Sequence, residues 1–143
     1  MTLTLPPALP EARVLGLPSS SSAELVHAIL EGFDLASLER ILSLLEIDQK
    51  TLAPLIGLHE RSLSRIKGGG GKLSSEVSDA LYRLAQLFLQ AERVLGSSEA
   101  ARTWLKRSNP GLGAISPLEF ARTEPGAFEV RNLLGSLEHG MFF

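Results

Sequence analysis

Apolar residues recur at helical spacing through most of this sequence, and this periodicity most constrains its fold. The longest such stretch runs from about Ser74 to Leu95, and shorter ones precede and follow it. Serine, aspartate and glycine stand where these stretches begin and end, as they do at helix caps. No stretch shows a convincing alternation of apolar and polar residues, the pattern of a half-buried strand. The sequence therefore predicts an all-α fold.

Composition narrows the class of protein. The chain has 143 residues, of which 44% are hydrophobic and 21% charged, and these values are ordinary for a folded domain. It contains no cysteine, which excludes disulfides, thiolate metal sites and cysteine nucleophiles. Its formal net charge is -2, so DNA binding would have to come from a local basic patch.

Hydropathy also bears on localisation. No apolar run approaches the ~20 residues that a membrane span needs, so no membrane partner is expected. The first residues lack a basic cluster followed by an apolar core, the pattern of a secretory signal. We expect a cytoplasmic protein.

The chain divides into three parts. Residues 1–21 contain four prolines and end in a serine run, which predicts a disordered or extended arm, whether functional or a plain tether. Residues 22–71 have the pattern of a helix-turn-helix domain, and residues 72–143 that of a second helical domain. Apolar residues occupy so much of the long helix in this second domain that it must be central or pair with another chain.

The helix-turn-helix prediction depends on spacing counted from Gln49 as the first position. Ala53 then falls where the two helices cross and only a small side chain fits, and Gly57 falls in the turn, where a positive φ is favourable. Pro54 lies inside the first helix, so this helix starts late, near Lys50, or bends. The positions that such a unit buries hold Leu52, Ile56, Leu58, Leu63 and Ile66.

The outer face of the second helix is polar and mainly cationic, which suits the major groove of DNA. Between His59 and Lys72, four cations face one glutamate, a local charge of +3 in a chain of net charge -2. Helix-turn-helix units also serve as structural corners, and that alternative stays open. The predicted DNA-binding residues are His59, Arg61, Ser62, Arg65, Lys67 and Lys72.

Four consecutive glycines before Lys72 suggest a phosphate-binding P-loop, but the pattern fails. Such a loop reads G-x-x-x-x-G-K-S/T after a strand. Here Ile66 stands at the first glycine, Leu73 stands at the final hydroxyl, and the preceding segment is helical. The glycines are better explained as a helix stop and connector.

Catalysis by this chain is not expected. His27, His59 and His139 lie far apart in the sequence, and none is near a pair of carboxylates. No metal-ligand spacing and no glycine-flanked nucleophile motif occur. We therefore predict a protein that is not an enzyme and has neither a metal nor a cofactor.

Four motifs in the second domain carry a family resemblance. They read L-S-x-E-x-S-D-x-L-x-R-L-A, A-x-x-W-L, N-P-x-L-x-x-x-x-P-L and T-x-x-G-x-x-x-V-x-x-L-L, the last followed by H-G. With them this domain resembles the toxin-binding domain of the Xre/MbcA/ParS-type antitoxins, the partners of RES-domain toxins. The helices from Ser22 onward fit the Xre-like domain of the same family. The motifs occupy Leu73–Ala85, Ala101–Leu105, Asn109–Leu118, Thr123–Leu134 and His139–Gly140.

The resemblance implies an antitoxin of a type II toxin–antitoxin pair. Family members bind a RES toxin, which degrades NAD, and cover its active-site cleft with their C-terminal region. They often repress their own operon through the N-terminal domain, so operator DNA is a second expected partner. The long helix suits a homodimer seam, which would place two recognition helices on one duplex. A free-standing transcriptional regulator without a toxin partner is the alternative.

The sequence "LEHGMFF" at 137–143 supplies the predicted toxin contacts. Adjacent phenylalanines at a chain end favour a partner surface, although packing onto this protein's own core is an open alternative. Trp104 is interpreted as a core residue. The family's usual second glycine is replaced in Gly113–Ala114, which affects loop geometry. The predicted toxin-binding residues are Glu138, His139, Gly140, Met141, Phe142 and Phe143.

Overall fold

The computed structural model describes residues 6–140 and forms helices joined by short turns, with no strand in that range. None of the helices in this range is long and apolar enough to cross a membrane. The helices are α1 (Pro10–Val14), α2 (Ser22–Glu31), α3 (Leu35–Leu45), α4 (Gln49–Leu55), α5 (Glu60–Gly69), α6 (Ser75–Leu95), α7 (Ser98–Lys106), α8 (Pro117–Phe120) and α9 (Glu124–Glu138), with a 3-10 turn at Pro110–Leu112.

Side-chain caps fix where these helices begin. The hydroxyl of Ser74 accepts from the backbone N–H of Val77 at 3.1 Å, which satisfies a donor that has no partner inside α6. Ser97 and Ser116 cap α7 and α8 in the same way. Gly96 ends α6 with φ 95, a conformation that glycine adopts without strain. The prediction of an all-α fold is confirmed.

Helix α6 is the centre of the molecule. It packs against α1, α2 and α3 on the N-terminal side and against α7 and α9 on the C-terminal side. A single apolar core runs through both halves, with Leu81 and Leu87 fully buried on α6. The sequence left two alternatives for this helix, a central position or pairing with another chain, and within the described residues it is central. The homodimer remains a prediction, and its seam would need a surface other than the covered face of α6.

Residues 10–15 differ from the extended arm predicted for residues 1–21. Pro10 stands at the first position of α1, where its missing N–H is no loss. Ala12 and Leu15 are buried, and α1 packs on α6 and α3. The hydroxyl of Ser37 donates to the carbonyl of Leu15 at 2.7 Å, which fixes the segment to α3. Burial of two apolar residues therefore outweighs the extended tendency of a proline-rich sequence.

Ser78 ties α6 to the turn between α2 and α3. Its side chain is fully buried, accepts from the backbone N–H of Phe33 at 2.8 Å and donates to the carbonyl of Ser74 at 2.8 Å. The backbone N–H of Leu73 donates to the carbonyl of Phe33 at 2.8 Å beside it. The serine of the S-D motif thus has a structural role: it joins the helix-turn-helix half to the long helix.

Ser78→Ala is expected to lower the free energy of unfolding by about 1–3 kcal/mol, because the N–H of Phe33 would stay buried without an acceptor. Ser136→Ala is the matched control. Its hydroxyl donates to the carbonyl of Asn132 at 3.1 Å near the surface, so its loss should change stability by less than about 0.5 kcal/mol. Urea denaturation of both variants measures the difference. Equal losses in the free energy of unfolding would show that the buried hydrogen bond stabilises the fold no more than the exposed one.

The C-terminal end of α3 is held by cations from α7. Arg102 donates from Nε to the carbonyl of Leu44 at 2.7 Å, and its guanidinium lies over the ring of Phe88 at 5.7 Å. Lys106 donates from Nζ to the carbonyl of Glu46 at 3.3 Å. Positive charge is favourable at a helix C-terminus, where carbonyls lack partners. These contacts set the orientation of α7 relative to the end of α3.

Candidate functional site

Helices α4 and α5 form the helix-turn-helix. Ala53 is fully buried, and its carbonyl accepts from the backbone N–H of Leu58 at 2.9 Å across the turn. Gly57 has φ 76, the positive value that the turn requires. The small residue and the glycine thus lie where the spacing from Gln49 places them.

Pro54 neither delays nor breaks α4. The helix begins at Gln49 because Asp48 caps it: its Oδ1 accepts from the N–H of Thr51 at 2.8 Å. Hydrogen bonds from the Thr51 side chain and backbone lower the pKa of Asp48. Pro54 is the penultimate residue of this seven-residue helix, so its missing donor costs one hydrogen bond at the end.

The outward face of α5 carries two arginines. Arg61 and Arg65 are both exposed, stand four residues apart, and form no ion pair with any residue between 6 and 140. His59 is exposed at the start of the helix and makes no side-chain cap bond there. Ser62 is half-buried. This face could donate to guanine edges or phosphates.

The two predicted lysines are held by carboxylates of this chain. Lys67 lies 3.2 Å from Glu39 Oε1 and donates to Gln49 Oε1 at 3.3 Å, and its side chain is only 26% exposed. Lys72 lies 3.6 Å from Asp34 Oδ1, with 60% of its side chain exposed. The local charge of +3 is therefore partly neutralised, and Arg61 and Arg65 are the unpaired cations of the predicted set within residues 6–140.

The glycine run is divided between helix and connector. α5 continues through Gly69, and Gly70 and Gly71 have φ 69 and φ 89. Space is open around all four Cβ positions from Gly68 to Gly71. The run thus ends α5 and leads to α6.

Helix α9 carries the predicted toxin contacts at its exposed end. Glu138 is its last residue and lies 3.3 Å from Arg93 of α6. His139 and Gly140 follow and are exposed. The remaining predicted contacts, Met141, Phe142 and Phe143, lie outside the described residues.

A side-chain cap, two ion pairs and a close backbone approach fix the start of α9. Thr123 accepts from the N–H of Gly126 at 3.3 Å, which caps the helix. Glu124 forms ion pairs with Arg131 of the same helix and with Arg83 of α6. Gly126 is buried, and a Cβ on it would overlap the carbonyl oxygen of Phe120. The T-x-x-G motif therefore brings α9 close against α8.

Trp104 packs against the core but is only half-buried. It lines a groove of about 620 Å³ together with Leu95 and Pro110. Trp104 therefore both packs against the core, as interpreted, and borders this groove. Across the described range, no group of three or more acidic or histidine side chains could hold a metal ion.

The geometry defines a helix-turn-helix protein with a second helical domain, whose last helix packs on α6 and is exposed at its C-terminal end. Residues 24–86 match the family described as the antitoxin Xre-like helix-turn-helix domain. Residues 90–140 match the family described as the antitoxin Xre/MbcA/ParS C-terminal toxin-binding domain.

Whole-chain relatives carry the same family name. The chain is 34% identical over 131 residues to an antitoxin Xre of Yersinia enterocolitica, covering 91% of this chain and 88% of the relative. It is 32% identical over 130 residues to an antitoxin Xre of Photorhabdus laumondii, covering 90% and 88%. A protein of Sphingobium sp. named "Prs ADP-ribosylating antitoxin" is 25% identical over 132 residues, covering 86% and 83%. The chain belongs to the Xre antitoxin family.

Proposed function

We propose that this antitoxin neutralises a RES-domain toxin that consumes NAD, by covering the toxin's active-site cleft with its C-terminal region. The match of residues 90–140 to a toxin-binding domain is the observation that carries the proposal. The exposed end of α9 supports it, because Glu138 and His139 are accessible to a partner there. Glu138 could imitate an anionic group of the toxin's substrate, and the aromatic residues at 142 and 143 could fill the cleft.

The chain also represses its own operon in this proposal. Arg61 and Arg65 would contact base edges or phosphates, and His59, Ser62, Lys67 and Lys72 would border that contact. A homodimer would place two copies of α5 on one duplex, one helical turn apart. The exposed arginines on α5 support this second activity.

A toxin that consumes NAD could act by either of two reactions, and an experiment must distinguish them. NAD hydrolysis and ADP-ribosyl transfer both break the bond to nicotinamide, but only transfer leaves ADP-ribose on an acceptor. The name of the Sphingobium relative refers to ADP-ribosylation of Prs, which makes the second form worth measuring here. Release of nicotinamide reports on both forms, and labelled ADP-ribose on protein reports on transfer alone.

The test is co-expression of this chain with the product of the neighbouring gene, with a tag on one of them only. A stable complex that releases nicotinamide only after this chain is removed supports the proposal. If no complex forms and the neighbour is inert toward NAD, the free-standing regulator is the better explanation.

Deletion of Met141–Phe143 is expected to weaken toxin binding on the order of 100- to 10,000-fold, since two phenylalanines buried in a cleft contribute about 1.5–3 kcal/mol each. A chain that lacks Thr2–Thr4 is the control, because it loses the same number of residues near the other end. Binding is measured by titration, and thermal melting of both shortened chains is recorded alongside. Full toxin neutralisation together with a lower Tm would show that residues 141–143 pack on this protein's own core.

A further inference from the structure

A cleft between the helix-turn-helix and the C-terminal domain collects positive charge. Its volume is about 370 Å³, and it lies between α4 on one side and the ends of α7 and α8 on the other. Its charged lining consists of Lys50 from α4, Lys106 from α7, and Glu119 and Arg122 at α8. Three cations thus face one carboxylate in a single cleft.

None of these three cations forms an ion pair with a described residue, whereas most basic residues of the C-terminal domain do. Lys50 and Arg122 form neither an ion pair nor a side-chain hydrogen bond with any described residue, and Lys106 donates only to the backbone carbonyl of Glu46 at 3.3 Å. An excess of positive charge, here three cations against one carboxylate in the lining, favours binding of an anionic partner. The paired basic residues of the C-terminal domain are Lys72, Arg83, Arg93, Arg102 and Arg131.

The position of the cleft indicates which anion it meets. Gln49, the residue before Lys50, donates to Ser64 of α5 at 3.3 Å and accepts from Lys67 of α5 at 3.3 Å. The first turn of α4 therefore joins the recognition helix to the cleft. In a helix-turn-helix complex the first helix crosses the phosphate backbone while the second enters the groove. The flank of α4 that carries Lys50 is thus next to the expected path of the backbone.

We propose that Lys50, Lys106 and Arg122 bind DNA phosphates, so that the C-terminal domain extends the DNA-binding surface beyond the helix-turn-helix. The inference rests on the proposed operator binding and adds a second domain to it. Phosphate contacts position a protein on the duplex and carry no base information. The cleft therefore contributes affinity and salt dependence, whereas α5 contributes sequence preference.

The test uses the full chain with Lys106→Gln and Arg122→Gln together, both in the C-terminal domain. Affinity for an operator duplex and for an unrelated duplex is measured from about 50 to 200 mM salt. Each lost phosphate contact should reduce the slope of log affinity against log salt by about 0.9, so the double variant should lose about 2. The ratio between operator and unrelated duplex should stay within about twofold.

Arg13→Gln with Arg93→Gln is the control, since it removes the same charge from exposed positions on α1 and on the C-terminal half of α6. An equal fall in slope for both double variants, or an unchanged slope for the cleft variant, would overturn the inference. Loss of the toxin complex with unchanged DNA binding would also overturn it and would assign the cleft to a protein partner. If Lys106→Gln lowers the Tm by removing the contact to Glu46, Arg122→Gln alone replaces the double variant. The slope of log affinity against log salt should then fall by about 1.

This design separates the inference from the proposed function. If the wild-type chain binds no duplex even at about 50 mM salt, operator repression and the cleft are both wrong. If it binds the operator and the cleft variant behaves as wild type, only the cleft assignment is wrong.

Discussion

A chain carrying Arg61→Ala and Arg65→Ala should bind its operator on the order of 100- to 1,000-fold more weakly and still neutralise its toxin. Each arginine that forks onto a guanine edge or phosphate contributes about 1–3 kcal/mol, and both side chains are exposed on α5. Neither forms an ion pair within residues 6–140, so their removal leaves no carboxylate there unpaired. Stability should change by less than about 0.5 kcal/mol.

The control is Arg13→Ala with Arg93→Ala, which changes the net charge equally at exposed positions on α1 and α6. Electrophoretic mobility shift of an operator fragment measures DNA binding. Co-purification of the toxin with the Arg61 and Arg65 variant measures toxin binding. Unchanged operator binding by that variant would mean that α5 is not the recognition helix. Simultaneous loss of toxin binding would mean that the two interfaces overlap.

Gly126→Ala is expected to lower the free energy of unfolding by about 3 kcal/mol and the Tm by about 10 °C. The added Cβ would overlap the carbonyl oxygen of Phe120, which is backbone and cannot rotate away. Helix α9 would have to move off α8, and the hydrogen bond from Gly126 to Thr123 would stretch. Toxin binding should weaken as well, because α9 positions the predicted contacts at Glu138 and beyond.

Gly135→Ala provides the control in the same helix. Space around its Cβ position is open, and alanine is the better helix former, so this variant should gain about 0.5–1 kcal/mol. Calorimetry of the two variants tests the close approach directly. If Gly126→Ala also gains stability, the contact between α8 and α9 is looser than the structure has it.

Local signals predict most of the helices because their ends are determined by neighbouring residues. Ser74 and Gly96 bound α6, and both effects act within one turn of the helix. The end at Gly69–Gly70 is less sharp, since two glycines continue the helix before φ changes sign. Helix α1 escapes prediction because its stability comes from burial against α6 and α3, which the proline-rich segment does not reveal.

The candidate site is harder to predict, because side-chain pairing joins distant parts of the chain. Lys67 and Lys72 have the same sequence signal as Arg61 and Arg65, but Glu39 and Asp34 neutralise them in the fold. The cations of the cleft lie on three separate segments, so no local motif unites them. Ala114 has φ 65, a left-handed conformation that glycine adopts without strain and alanine rarely adopts.

The shared core has a consequence for how such chains can diversify. The two family matches meet between residues 86 and 90, inside α6, and the buried side of this helix packs on both halves. A recombination event that joined the first half to a new C-terminal half would have to preserve the packing of α7 and α9 on α6. If the toxin binds at the exposed end of α9, as we propose, a change of toxin partner is easier by substitution there than by exchange of a domain.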